Sequence, residues 1–127
     1  MAIQGEVSKP EEIHRLFSEI KKQFGKVDVL VNNAGTYEFA PLESITREHM
    51  QKHFNLNITG LLLTSNEAVK LLDPDSGSVV NIGSASCELR ACGLLRLQEG
   101  EFREQQEKTT PLGRIATPED IAMAARF

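Results

Sequence analysis

The first thirty residues alternate between extended and helical patterns of apolar positions. The short stretch Ala2–Glu6 predicts a strand, and an apolar residue then recurs every three or four positions, which predicts an amphipathic helix ending at Gly25. Ser8 and Glu11 have the spacing of a capping box at the start of that helix. Val27–Val31 is a continuous apolar run and predicts a strand buried on both faces. The order is therefore strand, helix, strand.

The same alternation continues along the rest of the chain. Thr46 predicts the N-cap of a long helix that runs to Leu72, and Ser78–Ile82 predicts another buried strand. Near the end, Thr117 and Asp120 predict a second capping box. Strands joined through helices by short turns are typical of a parallel sheet, in which connected strands are usually neighbours. We therefore predict an α/β fold with about three parallel strands and flanking helices, in which the first two strands pair directly.

Composition and charge narrow the function classes. The chain has 127 residues, which predicts a single domain, and a net charge of −4, so no basic surface is expected for nucleic acid or an anionic membrane. It contains neither an apolar run long enough to span a bilayer nor a signal-peptide pattern, which predicts a cytoplasmic protein. Cys87 and Cys92 are expected to be free thiols.

Four segments, in this order and spacing, resemble motifs of the short-chain dehydrogenase/reductase family, and most closely those of members that act on sugars, polyols or 3-oxoacyl groups. They are DVLVNNAG (28–35), NLNITG (55–60), GSVVNIGSAS (77–86) and TPLGRIATPEDIA (110–122). The resemblance implies a partial Rossmann-like, doubly wound fold. It also implies NAD or NADP as cofactor and a small alcohol or ketone as substrate.

The resemblance assigns a cofactor-binding role to five residues. Glu6 stands where the family usually has an aspartate near the adenine ring, with Val7 beside it. Asn33, Ala34 and Gly35 would follow a strand close to the adenosine half of the dinucleotide. The small residues would let the cofactor approach the backbone at the carboxyl end of that strand.

The catalytic residues of the family are only partly present. Asn57 matches the asparagine that holds a water in the proton relay, and Ser84 matches the serine that hydrogen-bonds the substrate oxygen. The tyrosine and lysine expected about a dozen residues after Ser84 are absent, and the sole tyrosine, Tyr37, precedes Ser84 and cannot replace them. The 127 residues also contain no glycine-rich turn for the pyrophosphate. We therefore expect the isolated chain to be inactive.

The resemblance divides the chain into three parts. Residues 1–86 form a partial dinucleotide-binding core, 87–109 a divergent segment in place of the tyrosine and lysine helix, and 110–127 a C-terminal-like loop and helix. One hypothesis for the divergent segment is a shifted reading frame. A shift by one base across residues 94–99 can spell Tyr-Ser-Ala-Ser-Lys, although the genetic code forces only the last position, to lysine or arginine.

The sequence also bears on protein partners and on metal binding. A non-catalytic remnant could associate with a full-length relative through the Glu48–Leu72 helix, and the exposed sheet could favour a homo-oligomer. His49 and His53 lie four residues apart on the predicted helix, but no third ligand is spaced to complete a metal site. We therefore predict no metal and a solvated helix face for this pair.

Overall fold

The structure, a computed structural model, describes residues 1–38, 40–83, 104, 107–108, 111, 113–114 and 116–125. The chain divides into two compact units, Met1–Gly83 and Ser84–Phe127. No helix among the described residues is long and apolar enough to cross a membrane.

The first helix, α1, spans Pro10–Phe24. Its N-cap is Lys9 with no side-chain hydrogen bond, so the capping box predicted at Ser8 and Glu11 is wrong. Pro10 explains the difference, because proline favours the first position of a helix and sets where the helix starts. The predicted end is confirmed, since Gly25 has a φ of 78° and its N–H bonds the carbonyl of Lys21.

The described sheet has two parallel strands, β1 (Val29–Asn32) and β2 (Ser78–Asn81), paired in register from Val29 with Ser78 to Asn32 with Asn81. The predicted strand at Ala2–Glu6 is wrong, and so is its pairing with β1, because these residues adopt no regular structure. Burial of β1 on both faces is also wrong, since Val29 and Val31 are 45% and 50% exposed. A parallel α/β fold is confirmed, with a smaller described sheet than predicted.

A long helical region connects the two strands and contains a local change of winding. α2 spans Arg47–Phe54, a π-helical segment spans Asn55–Gly60, and α3 spans Leu61–Val69. The predicted N-cap is confirmed, because the hydroxyl of Thr46 accepts a hydrogen bond from the N–H of His49 at 3.1 Å. The π segment shifts the faces that α2 and α3 present, and such segments often occur at functional sites.

The core of the first unit lies between α1, α3 and β1. Its buried apolar residues are Ile13, Phe17 and Ala68. Partly buried apolar side chains pack around them, namely Val7, Leu16, Ile20, Leu30, Leu63, Leu71 and Leu72. Burial on this side holds α1 and α3 against β1 and fixes the residues that follow the strand.

In the second unit, α4 spans Pro118–Ala124. The predicted capping box is confirmed, because the Thr117 hydroxyl accepts from the N–H of Asp120 and the Asp120 carboxylate accepts from the N–H of Thr117. Arg114 donates two hydrogen bonds to the same carboxylate, at 2.6 and 2.9 Å. The hydrogen bond from Arg114, followed by those from Thr117, lowers the pKa of Asp120 well below its usual range, so this carboxylate is ionised at neutral pH.

Candidate functional site

The carboxyl ends of β1 and β2 are joined by the side chain of Asn32. Its amide nitrogen donates to Oδ1 of Asn81 at 2.8 Å and to Oγ of Ser65 at 2.9 Å, and its Oδ1 accepts from the Thr64 hydroxyl at 2.9 Å. Side chains alternate along a strand, so the next residue, Asn33, is exposed. Asn32 therefore ties the sheet to α3, while Asn33 is left accessible to a ligand.

Ala34 and Gly35 continue the chain beyond the sheet. Asn33 and Ala34 help to line a cavity of about 210 Å³ that lies between α1, β1 and α3. Among the described residues, the nearest atom to a Cβ added at Gly35 would be Oδ1 of Asn57, at 3.5 Å, which is an ordinary contact. Gly35 also has no positive φ. Neither packing nor backbone conformation in this structure requires glycine at position 35.

Asn57 holds the segment that follows Gly35. Its Nδ2 donates to the carbonyl of Thr36 at 2.9 Å, and its Oδ1 accepts from the N–H of Thr36 at 2.8 Å. This paired contact explains why an asparagine, a poor helix former, is favoured inside the π segment. The side chain of Asn57 thus connects the helical region to the loop after β1, and its role in a proton relay stays a prediction.

Gly60 allows a close approach of two backbone segments. It is buried, and a Cβ at this position would lie 2.5 Å from the carbonyl oxygen of Val7. Because that neighbour is backbone, it cannot move aside as a flexible side chain would. In the N-x-x-G motif, Asn57 therefore hydrogen-bonds Thr36, whereas Gly60 allows the backbone of Val7 to approach closely.

Glu6 and Val7 lie directly before α1. The N–H of Ser8 donates to the Glu6 carboxylate at 3.2 Å, and the side-chain and backbone hydrogen bonds from Ser8 lower the pKa of Glu6. Glu6 is exposed, so its ionised carboxylate can accept further hydrogen bonds. Val7 lines the same cavity as Asn33 and Ala34, so the structure brings these three predicted cofactor residues together.

The rest of the predicted catalytic region lies outside the described residues. This applies to Ser84 and to the segment 84–103, which includes both cysteines. Tyr37 lies in the loop after β1 and is 65% exposed. A search of the described residues finds no cluster of three or more histidine, cysteine or carboxylate side chains that could hold a metal ion.

One residue near the site was missed by the sequence reasoning. His53 is half-buried, and the backbone N–H of Glu38 donates to its Nε2 at 3.1 Å. The prediction of a solvated face is therefore wrong for His53. A histidine one turn before Asn57, on the same helical region, could have signalled a second contact with the loop that Asn57 holds.

A parallel β-α-β unit with small residues at the carboxyl edge of its sheet is typical of nucleotide-binding α/β proteins. The family model described as short chain dehydrogenase matches residues 1–94. The chain belongs to the short-chain dehydrogenase family.

Relatives and solved structures agree with this assignment. The chain is 43% identical over 84 residues to an uncharacterized oxidoreductase of Methylorubrum extorquens, which covers 66% of this chain and 34% of the relative. It is 38% identical over 85 residues to carbonyl reductase family member 4 of Xenopus laevis, with 66% and 36% covered. A blue fluorescent protein from a metagenomic library, solved in complex with NADPH, superimposes with a TM-score of 0.65 at 34% identity over 72% of this chain and 36% of that one. The chain spans about a third of the length of these curated relatives.

Proposed function

We propose that this chain forms the adenosine side of an NAD(P) site in an oxidoreductase that interconverts an alcohol and a ketone, and that the isolated 127 residues do not catalyse the reaction. The observation that carries the proposal is Gly35. Its lack of a side chain serves neither the backbone nor the packing of the described structure. A close approach by a ligand at the carboxyl end of β1 accounts for it.

The neighbouring residues fit the adenosine half of a dinucleotide. The ionised Glu6 offers acceptor oxygens for an exocyclic amino group, and Val7, Asn33 and Ala34 share the cavity between α1, β1 and α3. At about 210 Å³ the cavity is smaller than the roughly 300–1,000 Å³ of sites that enclose a drug-sized ligand. It would therefore take part of a dinucleotide and not the whole molecule.

The 127 residues lack two groups that the reaction needs, a proton-transferring tyrosine and a turn that binds the pyrophosphate. The family resemblance requires a tyrosine whose phenol is made more acidic by a nearby lysine, and no tyrosine follows Ser84 in these 127 residues. The negative charge of the pyrophosphate also requires a glycine-rich turn with backbone N–H donors. The cofactor would supply the hydride, and this chain's own contribution would be to bind and orient the adenosine end.

A titration with NADPH tests the cofactor half of the proposal. We expect weak binding, with a Kd on the order of 1 mM because the pyrophosphate cradle is absent. In ¹H–¹⁵N spectra of the isolated chain, the shifts should concentrate at the amides of Ala34 and Gly35. Gly35→Ala should weaken binding about threefold or more without changing the melting temperature, since its added Cβ fits the fold.

The control is Ser76→Ala, an exposed residue before the amino end of β2, which should leave binding and stability unchanged. Adenosine monophosphate should shift the same amides as NADPH. Absence of shifts at both amides would overturn the proposal that this chain binds the cofactor. Reduction of a ketone by the purified chain with NADPH would overturn the proposal that the isolated chain does not catalyse the reaction.

A specific observation favours a second candidate function, association with a full-length member of the family through the Glu48–Leu72 region. Exposed large apolar residues recur every four positions along it, at Met50, Phe54, Ile58 and Leu62. An apolar stripe of this kind is typical of a helix that packs against a partner. Burial of this stripe against a relative would stabilise both chains without requiring catalysis.

Substitution of Phe54 tests the association. The Methylorubrum extorquens relative, mixed with this chain, should give a mixed complex in sedimentation velocity, and Phe54→Lys should weaken that complex about tenfold or more because it puts a charge in the centre of the apolar stripe. Phe24→Lys is the control, since Phe24 is also an exposed phenylalanine but lies on α1. Equal effects of the two substitutions, or no mixed complex with the unchanged chain, would contradict this function.

A further inference from the structure

His53 bridges α2 and the loop after β1 through both nitrogens of its ring. Nδ1 lies 2.8 Å from the backbone carbonyl oxygen of His49, and Nε2 lies 3.1 Å from the backbone nitrogen of Glu38. A carbonyl oxygen can only accept a hydrogen bond, and a backbone N–H can only donate one. The two partners therefore fix which nitrogen carries the proton.

The neutral ring satisfies both contacts in one tautomer alone. Nδ1 must be protonated to donate to His49, and Nε2 must be unprotonated to accept from Glu38. When the ring takes up a second proton, both nitrogens become donors. The Nε2 proton then faces the N–H of Glu38, so an attractive contact becomes a repulsive one.

The charged and titratable groups around the ring come from both elements. On α2, the His49 ring lies 4.5 Å from the His53 ring between centroids, and the Lys52 ammonium pairs with the carboxylate of Glu38. That hydrogen bond from Lys52, followed by the positive charges nearby, lowers the pKa of Glu38. The Glu38 carboxylate thus stays ionised, and the proton occupancy of the ring nitrogens is what decides the contact with the Glu38 N–H.

The segment that His53 holds begins directly after Gly35. Thr36 is fixed by both polar atoms of the Asn57 side chain, and Glu38 is fixed by His53 through its backbone N–H. The Asn57 contact involves no titratable group, whereas the His53 contact depends on the protonation of the ring. Protonation of His53 would therefore break the backbone contact of Glu38, while the Lys52–Glu38 ion pair and the Asn57 contacts stay in place.

We propose that His53 is a pH-sensitive latch, which in its neutral Nδ1–H form holds the backbone N–H of Glu38 and in its protonated form releases that N–H, while the Lys52–Glu38 ion pair remains. The backbone contact is present when the ring is neutral and is lost when a fall in pH protonates the ring. The latch positions the backbone of Glu38. The proposal is based on the hydrogen-bond geometry of His53 and does not require a bound nucleotide. Where the chain also binds a dinucleotide beside Gly35, the latch would make that binding pH-dependent.

Nuclear magnetic resonance of the nucleotide-free chain tests the latch. At pH 8, long-range ¹H–¹⁵N spectra should show His53 as the Nδ1–H tautomer, and the Glu38 amide should be protected from hydrogen exchange. As the ring is protonated, the protection factor of Glu38, corrected for the intrinsic exchange rate, should fall about fivefold to tenfold, the effect of one typical backbone hydrogen bond. Protection of the Thr36 amide should change little, because Asn57 holds it.

Two variants separate the latch from its neighbours. His53→Gln removes the titration and should make the protection of Glu38 independent of pH, while His49→Gln keeps the backbone carbonyl and should leave the pH dependence in place. An Nε2–H tautomer at pH 8, or Glu38 protection that does not follow the ¹⁵N titration of His53, would overturn the proposal. The unchanged chain alone decides these points if either variant fails to fold.

Discussion

Gly60→Ala is expected to lower the free energy of unfolding of the first unit by about 2 kcal/mol. The new methyl group would lie 2.5 Å from the carbonyl oxygen of Val7 and 3.3 Å from that of Asn55. Overpacking of this kind costs about 1–3 kcal/mol, and we expect the upper end because the neighbours are backbone atoms. The better helix propensity of alanine offsets about 1 kcal/mol of this cost, which leaves the expected net loss. Urea unfolding followed by circular dichroism measures the change as a shift of the midpoint.

Gly60→Val and Gly83→Ala complete this experiment. Valine adds two further methyl groups and should cost more than alanine. Gly83→Ala should change the stability by no more than about 0.5 kcal/mol, because no atom of the described residues lies within 4 Å of its added Cβ. A Gly60→Ala variant as stable as the unchanged chain would contradict the close contact with Val7. It would also remove the structural reason for glycine in the N-x-x-G motif.

Local signals in the sequence predicted the ends of several helices. Gly25, Thr46 and the Thr117–Asp120 capping box act within four residues of themselves, and the structure confirms all three. The prediction failed at Ser8 because two local signals competed there. Pro10 restricts the backbone of its own position, and that restriction outweighed the preference of serine for an N-cap.

Contacts between distant residues could not be predicted from periodicity. Asn57 pairs with Thr36, which is 21 residues away, and Gly60 meets the backbone of Val7. The apolar pattern of a continuous helix is the same with or without a π segment over a few residues, so nothing in the pattern indicated the change of winding. The family motif identified both residues, and only the structure shows what each one contacts.

The extended segments were the least predictable. The predicted strand Ala2–Glu6 has no partner strand among the described residues, and a strand is stable only when its backbone groups are paired. Val29 and Val31 were predicted to be buried because valine is typical of parallel strands. Both are exposed, because burial depends on what covers each face of the sheet. Val7 was assigned from its place beside Glu6, and Asn33 and Ala34 from the DVLVNNAG motif; the three residues line one cavity, and their cofactor-binding role stays a prediction.

Ile13→Ala is expected to have the largest effect on stability, a loss of about 3 kcal/mol. Ile13 is 1% exposed, and among the described residues its cluster contains two other buried apolar residues, Phe17 and Ala68. Truncation of a buried isoleucine to alanine costs about 2–5 kcal/mol through lost transfer energy and the cavity that remains. Since small domains unfold with about 5–15 kcal/mol in total, a core this small leaves little reserve. Ile13→Val, with an expected cost of about 1 kcal/mol, keeps the measurement possible if the alanine variant unfolds.

Phe24→Ala is the matched control for this core, because Phe24 is a larger apolar residue on the same helix but is 61% exposed. A helix buried on one side should lose stability at Ile13 and almost none at Phe24, where the change should stay within about 0.5 kcal/mol. Urea unfolding of both variants at an equal slope gives the comparison. Similar losses at the two positions would show that Phe24 is covered in solution. The core would then extend beyond the side of α1 that faces α3 and β1. A loss at Ile13 alone would show that this side of α1 is the buried one, and Val7 of the candidate site packs against the same core.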